Sequence, residues 1–478
     1  MNKALAATAI GLALSIGNVR VPSADAQPVH AAAPVVEKSG EVVPARAPAR
    51  HSQPPLQLWT DERDVRALIR HRGQVWAATG GGVVRYGENR GGRRVFGNVD
   101  GLDTVDVLGM HIENDALVAD TALSQCTLEG DRFRCRAGTP RKPTPVPSEA
   151  LAGHAVSARL AVDKGTFVAT RGGGTFFVPK DGAAISLDAA APRPPSFVRT
   201  AAVFRGALML GSFRDGITRL PLDASSKLSL DAVARAETVP TPFRFVNDLA
   251  VVDGALFVAA NEGLFVTRDA AQWTAVPAIG VRGITGLAAD KGGIWVASVD
   301  ALFRIERHGR GRARATFVRP GGSRSIQGVV SDAMGGAWIA TEDRGAVHFD
   351  GASFRAHDRL AGLPTSWVVA IGADASGAAL ASTLRDGVLR VAPDGSWSRV
   401  ALPFGSWSLT ASRLDDARVC VGAQDGAGCF DRTDTNTIDD AVVFAGLPDP
   451  RVHLVRKVGD RILVGTEAGV AIYAANTQ

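Results

Sequence analysis

The stretch GGAWIATEDRGAVHFDGASFRAHDRLAGLPTSWVVAIGAD (335–374) contains one complete structural repeat. Apolar residues alternate in its segments AWIAT, AVHFD and SFRAH, and Gly or Asp stands in each gap. Alternation bounded by such residues predicts short antiparallel strands joined by tight turns. A link through 362–364 then leads to a further apolar segment at 367–371, which we interpret as the innermost strand of the next repeat.

The central phrase of this repeat is an apolar pair followed by a small residue and often by Thr or Ser. It occurs ten times, with a mean spacing of 43 residues between the small residues Ala78, Ala119, Ala169, Gly211, Ala259, Ala297, Ala340, Ala381, Gly422 and Gly465. A period of roughly 40 to 50 residues of short strands is typical of a four-stranded propeller blade. We therefore predict an all-β fold, a β-propeller of about ten four-stranded repeats closed as one ring, with two smaller rings as the alternative.

The two ends of the repeat series predict how the propeller closes. After Tyr473 only five residues remain, too few for the outer strand of the last repeat. The segment LQLWT (56–60) precedes the first inner strand and has no role in the first repeat. Docking this segment on the last repeat would leave no unpaired sheet edge, so we predict that pairing.

The first residues indicate export. Residues 1–26 combine a short positive start, an apolar run and the A-x-A pattern Ala24-Asp25-Ala26, which predicts a secretory signal peptide. Residues 27–55 are rich in Ala, Pro and Val and predict a flexible linker before the propeller at 56–478. The apolar run is too short to span a bilayer, so we expect a periplasmic or secreted protein without a membrane span.

The cysteines agree with export. They fall in two pairs, each nine residues apart: Cys126 with Cys135, and Cys420 with Cys429. The Gly-Asp turn at 130–131 places the first pair directly opposite in a hairpin, which predicts a cross-strand disulfide. The turn around 425–426 leaves the second pair about one residue out of register, so we regard that disulfide as the less secure one. Free buried thiols are the alternative.

The repeat resembles that of the two-component regulator propellers. The shared features are a G-L-P link, as at 362–364 and 446–448, and the phrase G-x-W-[IV]-A-[ST], as at 293–298 and 336–341. The resemblance covers about 56–473. In that family such propellers usually form the extracytoplasmic sensory part of a membrane-bound kinase. This sequence shows no kinase region or transmembrane helix, so we expect a stand-alone exported propeller.

Local motifs for nucleotide binding, zincin-type metal binding and serine hydrolysis are absent from the sequence. We therefore predict no catalytic residues, no metal site and no cofactor, although an active site assembled from several blades would leave no local motif. TRDAAQW (267–273) is similar to a degraded Asp-box hairpin of sialidase-like propellers, and we interpret it as a structural turn. DRTDTNTIDD (431–440) is acidic enough to hold calcium but lacks the Gly and Glu of an EF-hand loop, so we interpret it as solvated.

An arginine stripe is the candidate binding site in the sequence. Arg310, Arg312 and Arg314 share one face if they lie in a strand. They could bind a polyanion such as an acidic cell-surface glycan. The alternative is a solvated sheet edge on which charge prevents aggregation. Nucleic acid is not expected as a partner, because the protein is exported and no aromatic residues interleave the charges.

The leading functional hypothesis is a non-catalytic exported module that binds a glycan or a protein partner through loops on a propeller face. The long insertions at 136–150 and 221–242 are the expected positions of such loops. One alternative is a propeller glycan hydrolase or lyase. Another is a ligand-sensing subunit that acts with a separate membrane signalling protein.

The arginine stripe can be tested directly. Replacing Arg310, Arg312 and Arg314 with Gln should weaken retention on a heparin column, and the difference from the wild type should shrink as salt rises. Stability should hardly change, since exposed charges contribute little to it. Unchanged retention, or aggregation of the variant without a change in binding, would instead support a solvated edge.

Overall fold

The alternating segments fold into short antiparallel strands, as predicted. In a computed structural model, the repeat at 335–374 forms the strands Ala337–Thr341, Ala346–Phe349 and Phe354–His357, and Val368–Ala373 begins the next repeat. The all-β propeller fold with ten four-stranded repeats is therefore confirmed. Each repeat is called a blade below, and the blades are numbered 1 to 10 along the chain.

The structure describes residues 49–475, except for 88–91, 140–148, 189–191, 278, 281–282, 307–314, 319–322, 324, 333–334, 375, 401, 405–406, 414–417 and 432–440. The predicted signal peptide and residues 27–48 of the predicted linker lie outside the described residues.

The strands of blades 1 to 5 follow β1 (Ala49–His51) and β2 (Gln57–His71), the second part of which is the inner strand of blade 1. Blade 1 continues with β3 (Gln74–Gly80), β4 (Gly82–Gly87) and β5 (Arg94–Phe96). Blade 2 contains β6 (Val107–Glu113), β7 (Ala116–Thr121), β8 (Gln125–Glu129) and β9 (Arg132–Arg136). Blade 3 contains β10 (Ala150–Leu151), β11 (His154–Val162), β12 (Gly165–Thr170), β13 (Gly174–Pro179) and β14 (Ile185–Ser186). Blade 4 contains β15 (Val198–Phe204), β16 (Ala207–Ser212), β17 (Gly216–Pro221) and β18 (Glu237–Val239). Blade 5 contains β19 (Val246–Val252), β20 (Ala255–Ala260), β21 (Gly263–Thr267) and β22 (Thr274–Ala275).

Blades 6 to 10 repeat the same plan. Blade 6 contains β23 (Ile284–Asp290), β24 (Gly293–Ser298), β25 (Ala301–Glu306) and β26 (Ala315–Val318). Blade 7 contains β27 (Ile326–Ser331), β28 (Ala337–Thr341), β29 (Ala346–Phe349) and β30 (Phe354–His357). Blade 8 contains β31 (Val368–Ala373), β32 (Ala379–Thr383), β33 (Val388–Val391) and β34 (Trp397–Val400). Blade 9 contains β35 (Ser408–Arg413), β36 (Arg418–Ala423), β37 (Ala427–Asp431) and β38 (Ala441–Val443). Blade 10 contains β39 (Val452–Val458), β40 (Arg461–Thr466) and β41 (Gly469–Ala474). Short 3-10 helices occur at Asn98–Asp100, Leu230–Arg235 and Arg359–Ala361.

The first part of β2 is the outer strand of blade 10, which confirms the predicted closure. Residues 57–60 pair antiparallel with β41, and Trp59 lies opposite Val470. Trp59 is buried, and its indole nitrogen donates to the carbonyl oxygen of Pro192 at 3.1 Å. Gly469 permits this close approach, because its φ is 132° and a Cβ atom there would lie 2.3 Å from the Trp59 carbonyl oxygen.

The packing order differs from the single ring of ten blades that we expected. Apolar cores join consecutive blades from blade 4 to blade 10. A further core joins blade 10 to blade 4. At this junction a Cβ atom on Gly465 would lie 2.7 Å from the carbonyl oxygen of Val198, so the small repeat residue lets the two sheets meet. Blades 4 to 10 therefore form a closed ring of seven.

Blades 1 to 3 form a separate row beside the ring, in the spatial order 2–1–3. Blade 1 shares one apolar core with blade 2 and another with blade 3. Because β2 runs from blade 10 into blade 1, these two blades belong to one continuous seven-stranded sheet. Our alternative of two smaller rings is also not what the structure shows, because the described residues close only the ring of seven and blades 1 to 3 form an open row.

Part of the predicted linker forms a strand on the ring. β1 pairs in parallel with β38 and adds a fifth strand to blade 9. The amide of Ser52 donates to the carbonyl oxygen of Val443 at 2.8 Å. The propeller as described therefore begins before residue 56, where we had placed its boundary.

Both predicted disulfides are present. The first joins Cys126 and Cys135, which lie directly opposite each other on β8 and β9, as predicted. The second joins Cys420 and Cys429, and the predicted offset is wrong because these residues are also directly opposite. The amide of Ala423 donates to the carbonyl oxygen of Gly426 at 2.8 Å, so the turn is centred one residue earlier than we assumed.

The insertion at 221–242 packs into the ring and does not project as a binding loop. Its side chains Leu228, Ala232, Val233 and Ala236 are buried in the core shared by blades 10 and 4. This insertion therefore supports the junction that closes the ring. Of the other insertion, 140–148 lie outside the described residues.

Replacing Trp59 with Ala should destabilise the protein by about 3–5 kcal/mol, the usual loss for a large aromatic side chain removed from a core. The measurement is urea unfolding followed by circular dichroism. Leu56→Ala is the matched control, because this neighbouring side chain is 46% exposed. Equal unfolding free energies for the two variants would show that Trp59 does not hold the closing strand in place.

Candidate functional site

The entrance to the central channel is lined by the residues that precede the inner strands of the ring. In most blades of the ring, the hairpin after the second strand lies against this residue. For example, the amide of Phe213 donates to the carbonyl oxygen of Phe197 at 3.0 Å, and that of Gln424 donates to Trp407 at 3.1 Å. These residues, called the rim, are Phe197, Phe245, Gly283, Ser325, Trp367, Trp407 and Arg451.

Four rim residues are aromatic, and three of them are substantially exposed. The exposed fraction is 37% for Phe245, 46% for Trp367 and 50% for Trp407. Phe197 is half-buried. They belong to the neighbouring blades 4 and 5 and to the neighbouring blades 8 and 9, so they flank the entrance on two sides. Exposed aromatic side chains gathered at one opening are typical of a binding surface.

Arginine side chains stack on the aromatic side chains of blades 4 and 5. The guanidinium carbon lies over a ring centroid in three pairs: Arg214 over Phe197 at 5.4 Å, Arg199 over Phe213 at 5.5 Å, and Arg244 over Phe245 at 5.9 Å. The Phe213 centroid lies 5.5 Å from that of Phe197 and 5.7 Å from that of Phe245. These six residues are called the Arg–Phe cluster.

A second layer of side chains lies two residues after each rim residue, on the inner strands. It consists of Arg199, Asn247, Thr285, Gln327, Val369, Leu409 and His453, all of them half-buried. Arg199 donates to the Asn247 amide oxygen at 3.0 Å, and the Asn247 amide nitrogen donates to the carbonyl oxygen of Ile284 at 2.8 Å. The channel therefore has a polar side in blades 4 to 7 and an apolar side in blades 8 and 9.

His453 extends the aromatic surface of the entrance. Its ring stacks on Phe197 at 4.2 Å, and its Nε2 lies 3.4 Å from a carboxylate oxygen of Glu467. Burial lowers the pKa of His453, Glu467 opposes this shift, and the positive charge of Arg199 adds to it. The imidazole is therefore neutral at neutral pH and packs as an aromatic ring.

Asp248 is a carboxylate inside the channel, and its hydrogen bonds have a structural role. It accepts hydrogen bonds from the Thr200 hydroxyl at 2.9 Å, from the Leu249 amide at 2.8 Å and from the Leu287 amide at 2.9 Å. Burial raises its pKa, and these hydrogen bonds oppose the shift. Since the three bonds connect blades 4, 5 and 6, Asp248 ties neighbouring inner strands together.

The enzyme alternative requires several carboxylates that converge in the channel. The described inner strands of the ring carry one acidic residue besides Asp248, namely Asp290 at the end of β23. Asp290 pairs with Arg304 at 2.6 Å. These two carboxylates have separate partners, so they do not form an acid–base pair with each other.

The Arg–Phe cluster borders a cleft of about 380 Å³ between the ring and the row of blades 1 to 3. Arg214 and Arg244 line this cleft. The other arginines that line it are held in ion pairs: Arg66 with Asp64 at 3.1 Å and with Asp106 at 2.7 Å, Arg193 with Asp61 at 2.8 Å, and Arg451 with Asp449 and Glu467, each at 2.8 Å. Most of the charge in the cleft is therefore neutralised within the protein.

The site residues predicted from sequence do not form this entrance. Arg310, Arg312 and Arg314 lie outside the described residues, as do residues 432–440 of the acidic loop. The TRDAAQW segment forms a turn in which Asp269 accepts from the amides of Ala271 and Gln272, both at 2.8 Å, as expected for a structural hairpin.

One group of potential metal ligands occurs among the described residues, formed by Asp103, Cys126 and Cys135. The two cysteines are joined in a disulfide, so they offer no thiolate to a metal.

The rim was not predicted from the sequence. Its four aromatic residues each stand immediately before the first buried residue of an inner strand. Aligning the repeats on that buried residue, instead of on the small residue of the second strand, would have placed the four aromatic residues in one column. We had interpreted Trp367 as part of the innermost strand, whereas it precedes β31 and is exposed.

The described part of the chain contains no helix with the length and hydropathy of a membrane span. No protein-family model matches the chain, and no curated protein matches it in sequence.

Solved structures with a similar fold include extracellular regulator domains. The extracellular domain of a hybrid two-component system from B. thetaiotaomicron is 14% identical with a TM-score of 0.48, and the match covers 86% of this chain and 56% of that domain. Virginiamycin B lyase from Staphylococcus aureus is 13% identical with a TM-score of 0.46, covering 58% of this chain and 94% of the lyase. The WD40 propeller domain of Doa1 is 13% identical with a TM-score of 0.48, covering 59% and 94%.

The chain thus spans 56% of the length of the regulator domain that it matches. Extracellular domains of two-component regulators are among its structural neighbours. At such low identity these similarities concern the propeller fold.

Proposed function

We propose that the protein is a non-catalytic exported module that binds a glycan at the channel entrance of its seven-bladed ring. The observation that carries this proposal is the aromatic part of the rim. Trp367 and Trp407 stand on one side of the entrance with half of their surface exposed, and Phe197 and Phe245 stand on another. A monomeric protein rarely leaves several large aromatic side chains exposed around one opening without a ligand to cover them.

The chemistry of the entrance fits a saccharide. One face of a sugar ring presents C–H groups, which pack on the electron-rich face of an indole or phenyl ring. Hydroxyl groups at the edge of the sugar need hydrogen-bonding partners, and the side-chain oxygens of Thr285 and Gln327 can accept hydrogen bonds just inside the rim. Aromatic platforms above a polar layer therefore match both parts of a sugar.

The proposed location is the periplasm or the exterior of the cell. Two disulfides join neighbouring strands of blades 2 and 9, and such bonds persist in oxidising compartments. A glycan of a cell surface or of the surroundings would be accessible there.

Trp367→Ala and Trp407→Ala should each weaken binding of the best saccharide from a glycan panel by about tenfold, equivalent to ~1.4 kcal/mol. Melting temperatures should stay close to the wild-type value, because both side chains are largely exposed. The measurement is isothermal titration of each variant, with release of reducing sugar recorded in parallel.

Leu360→Ala is the matched control, since this side chain is 91% exposed and lies in the link between blades 7 and 8. It should bind as the wild type does. Wild-type affinity in both tryptophan variants would exclude the entrance as the glycan site. Release of reducing sugar by the wild type would support the hydrolase alternative.

A further inference from the structure

We infer that the entrance selects anionic saccharides, with Arg199, Arg214 and Arg244 binding a carboxylate or sulfate group over blades 4 and 5. This inference rests on the proposed function and adds the chemical class of the ligand. It differs from the arginine stripe of the sequence analysis, which involves other residues.

The first argument is a contrast among the arginines around the cleft. Arg66, Arg193 and Arg451 each pair with at least one carboxylate within 3.1 Å. In the part of the chain that the structure describes, Arg214 and Arg244 have no carboxylate at ion-pair distance. The same holds for Arg199, whose described hydrogen-bond partner is a neutral amide. Three positive charges are therefore gathered in one cluster without a described carboxylate at ion-pair distance.

The second argument is that the nearby carboxylates accept their described hydrogen bonds from neutral groups and not from the three guanidinium groups. Asp215, next to Arg214, accepts from the Ser196 amide at 2.8 Å and from the Ser196 hydroxyl at 2.7 Å. Glu262 accepts from the backbone amide of Arg244 at 2.9 Å through one carboxylate oxygen, and its other oxygen is buried without a hydrogen-bond partner among the described residues. These bonds hold the loops of blades 4 and 5 in place and leave the guanidinium groups for another acceptor.

The third argument is that the guanidinium groups are held in position. Arg244 donates through Nε to the backbone carbonyl of Arg214 at 2.7 Å. Each of the three guanidinium groups lies within 6 Å of a phenyl centroid. A guanidinium has five N–H donors, so each group keeps donors for a forked contact with an anion. Such ordering before binding reduces the entropy lost when a ligand is captured.

The electrostatics of the cluster agree with an anionic ligand. Burial lowers the pKa of Arg199, and the negative charge of Asp248 opposes this shift. Arginine nevertheless stays charged in proteins, so a charge surrounded by protein favours a ligand that neutralises it. The exposed face of Phe245 beside Arg244 would support the sugar ring that carries the anionic group.

The test compares three oligosaccharides on the full exported chain: trigalacturonate as the carboxylated probe, a heparin hexasaccharide as the sulfated probe, and cellotriose as the neutral probe. We expect at least one anionic probe to bind at least tenfold more tightly than cellotriose in dilute buffer. The difference should decrease as salt is raised, because ions screen the contact. The preferred anionic probe distinguishes carboxylate from sulfate as the group recognised.

The variant Arg214→Gln/Arg244→Gln should lose at least tenfold in affinity for the anionic probe and keep the wild-type affinity for cellotriose. Arg268→Gln is the matched control, because this exposed arginine of blade 5 contacts the carbonyl oxygen of Asp253 in the turn at the other end of the inner strand. It should bind all three probes as the wild type does.

Two results would overturn the inference. Equal wild-type affinity for neutral and anionic probes, with loss of binding in Trp367→Ala, would leave the proposed glycan function intact and remove the anionic preference. Wild-type affinity of the double arginine variant for the anionic probe would place the anion elsewhere. If no saccharide of any charge binds the wild type, the proposed function itself fails.

Discussion

The pairing of the first part of β2 with β41 holds the two parts of the molecule together. This short segment completes blade 10, and the same strand then continues as the inner strand of blade 1. Trp59 anchors it in the core shared by blades 10 and 4, and Gly469 leaves room for its backbone. Closure of the ring and attachment of the row of three blades therefore depend on one strand.

The junction between blades 10 and 4 sets where the ring closes. Gly465 brings the two sheets close together at Val198, and the insertion before β18 covers the same core with apolar side chains. The row is held against the ring by further contacts, such as the hydrogen bond from the buried Thr104 hydroxyl to the buried Asp449 carboxylate at 3.1 Å. The ion-paired arginines of the cleft lie along this contact, which explains why their charges are neutralised within the protein.

The unequal distribution of residues around the entrance is the basis of the proposed function. Blades 4 and 5 combine arginine with phenylalanine, blades 6 and 7 present Gly283 and Ser325 at the rim, and blades 8 and 9 present tryptophan. The backbone of the ring repeats seven times, but the side chains at its entrance differ from one side to the other. An elongated saccharide with its anionic group at one end would match this arrangement better than a symmetric ligand would.

Much of the local structure could be predicted from the sequence, because it depends on neighbouring residues. Alternation of apolar residues determined the strands, Gly and Asp determined the turns, and the Gly-Asp turn at 130–131 placed Cys126 opposite Cys135. The unpaired segment before the first repeat likewise determined the closing strand. The order of the blades could not be predicted in this way. The spacing of repeats is the same whether ten blades form one ring or seven do. The meeting of blades 10 and 4 depends on tertiary packing, in which Gly465 fits against Val198 and distant side chains such as Trp59 and Leu228 share one core. The candidate site could not be predicted from the sequence either. Phe197 and Trp407 are more than two hundred positions apart, and they lie at one entrance only because their blades close into the same ring.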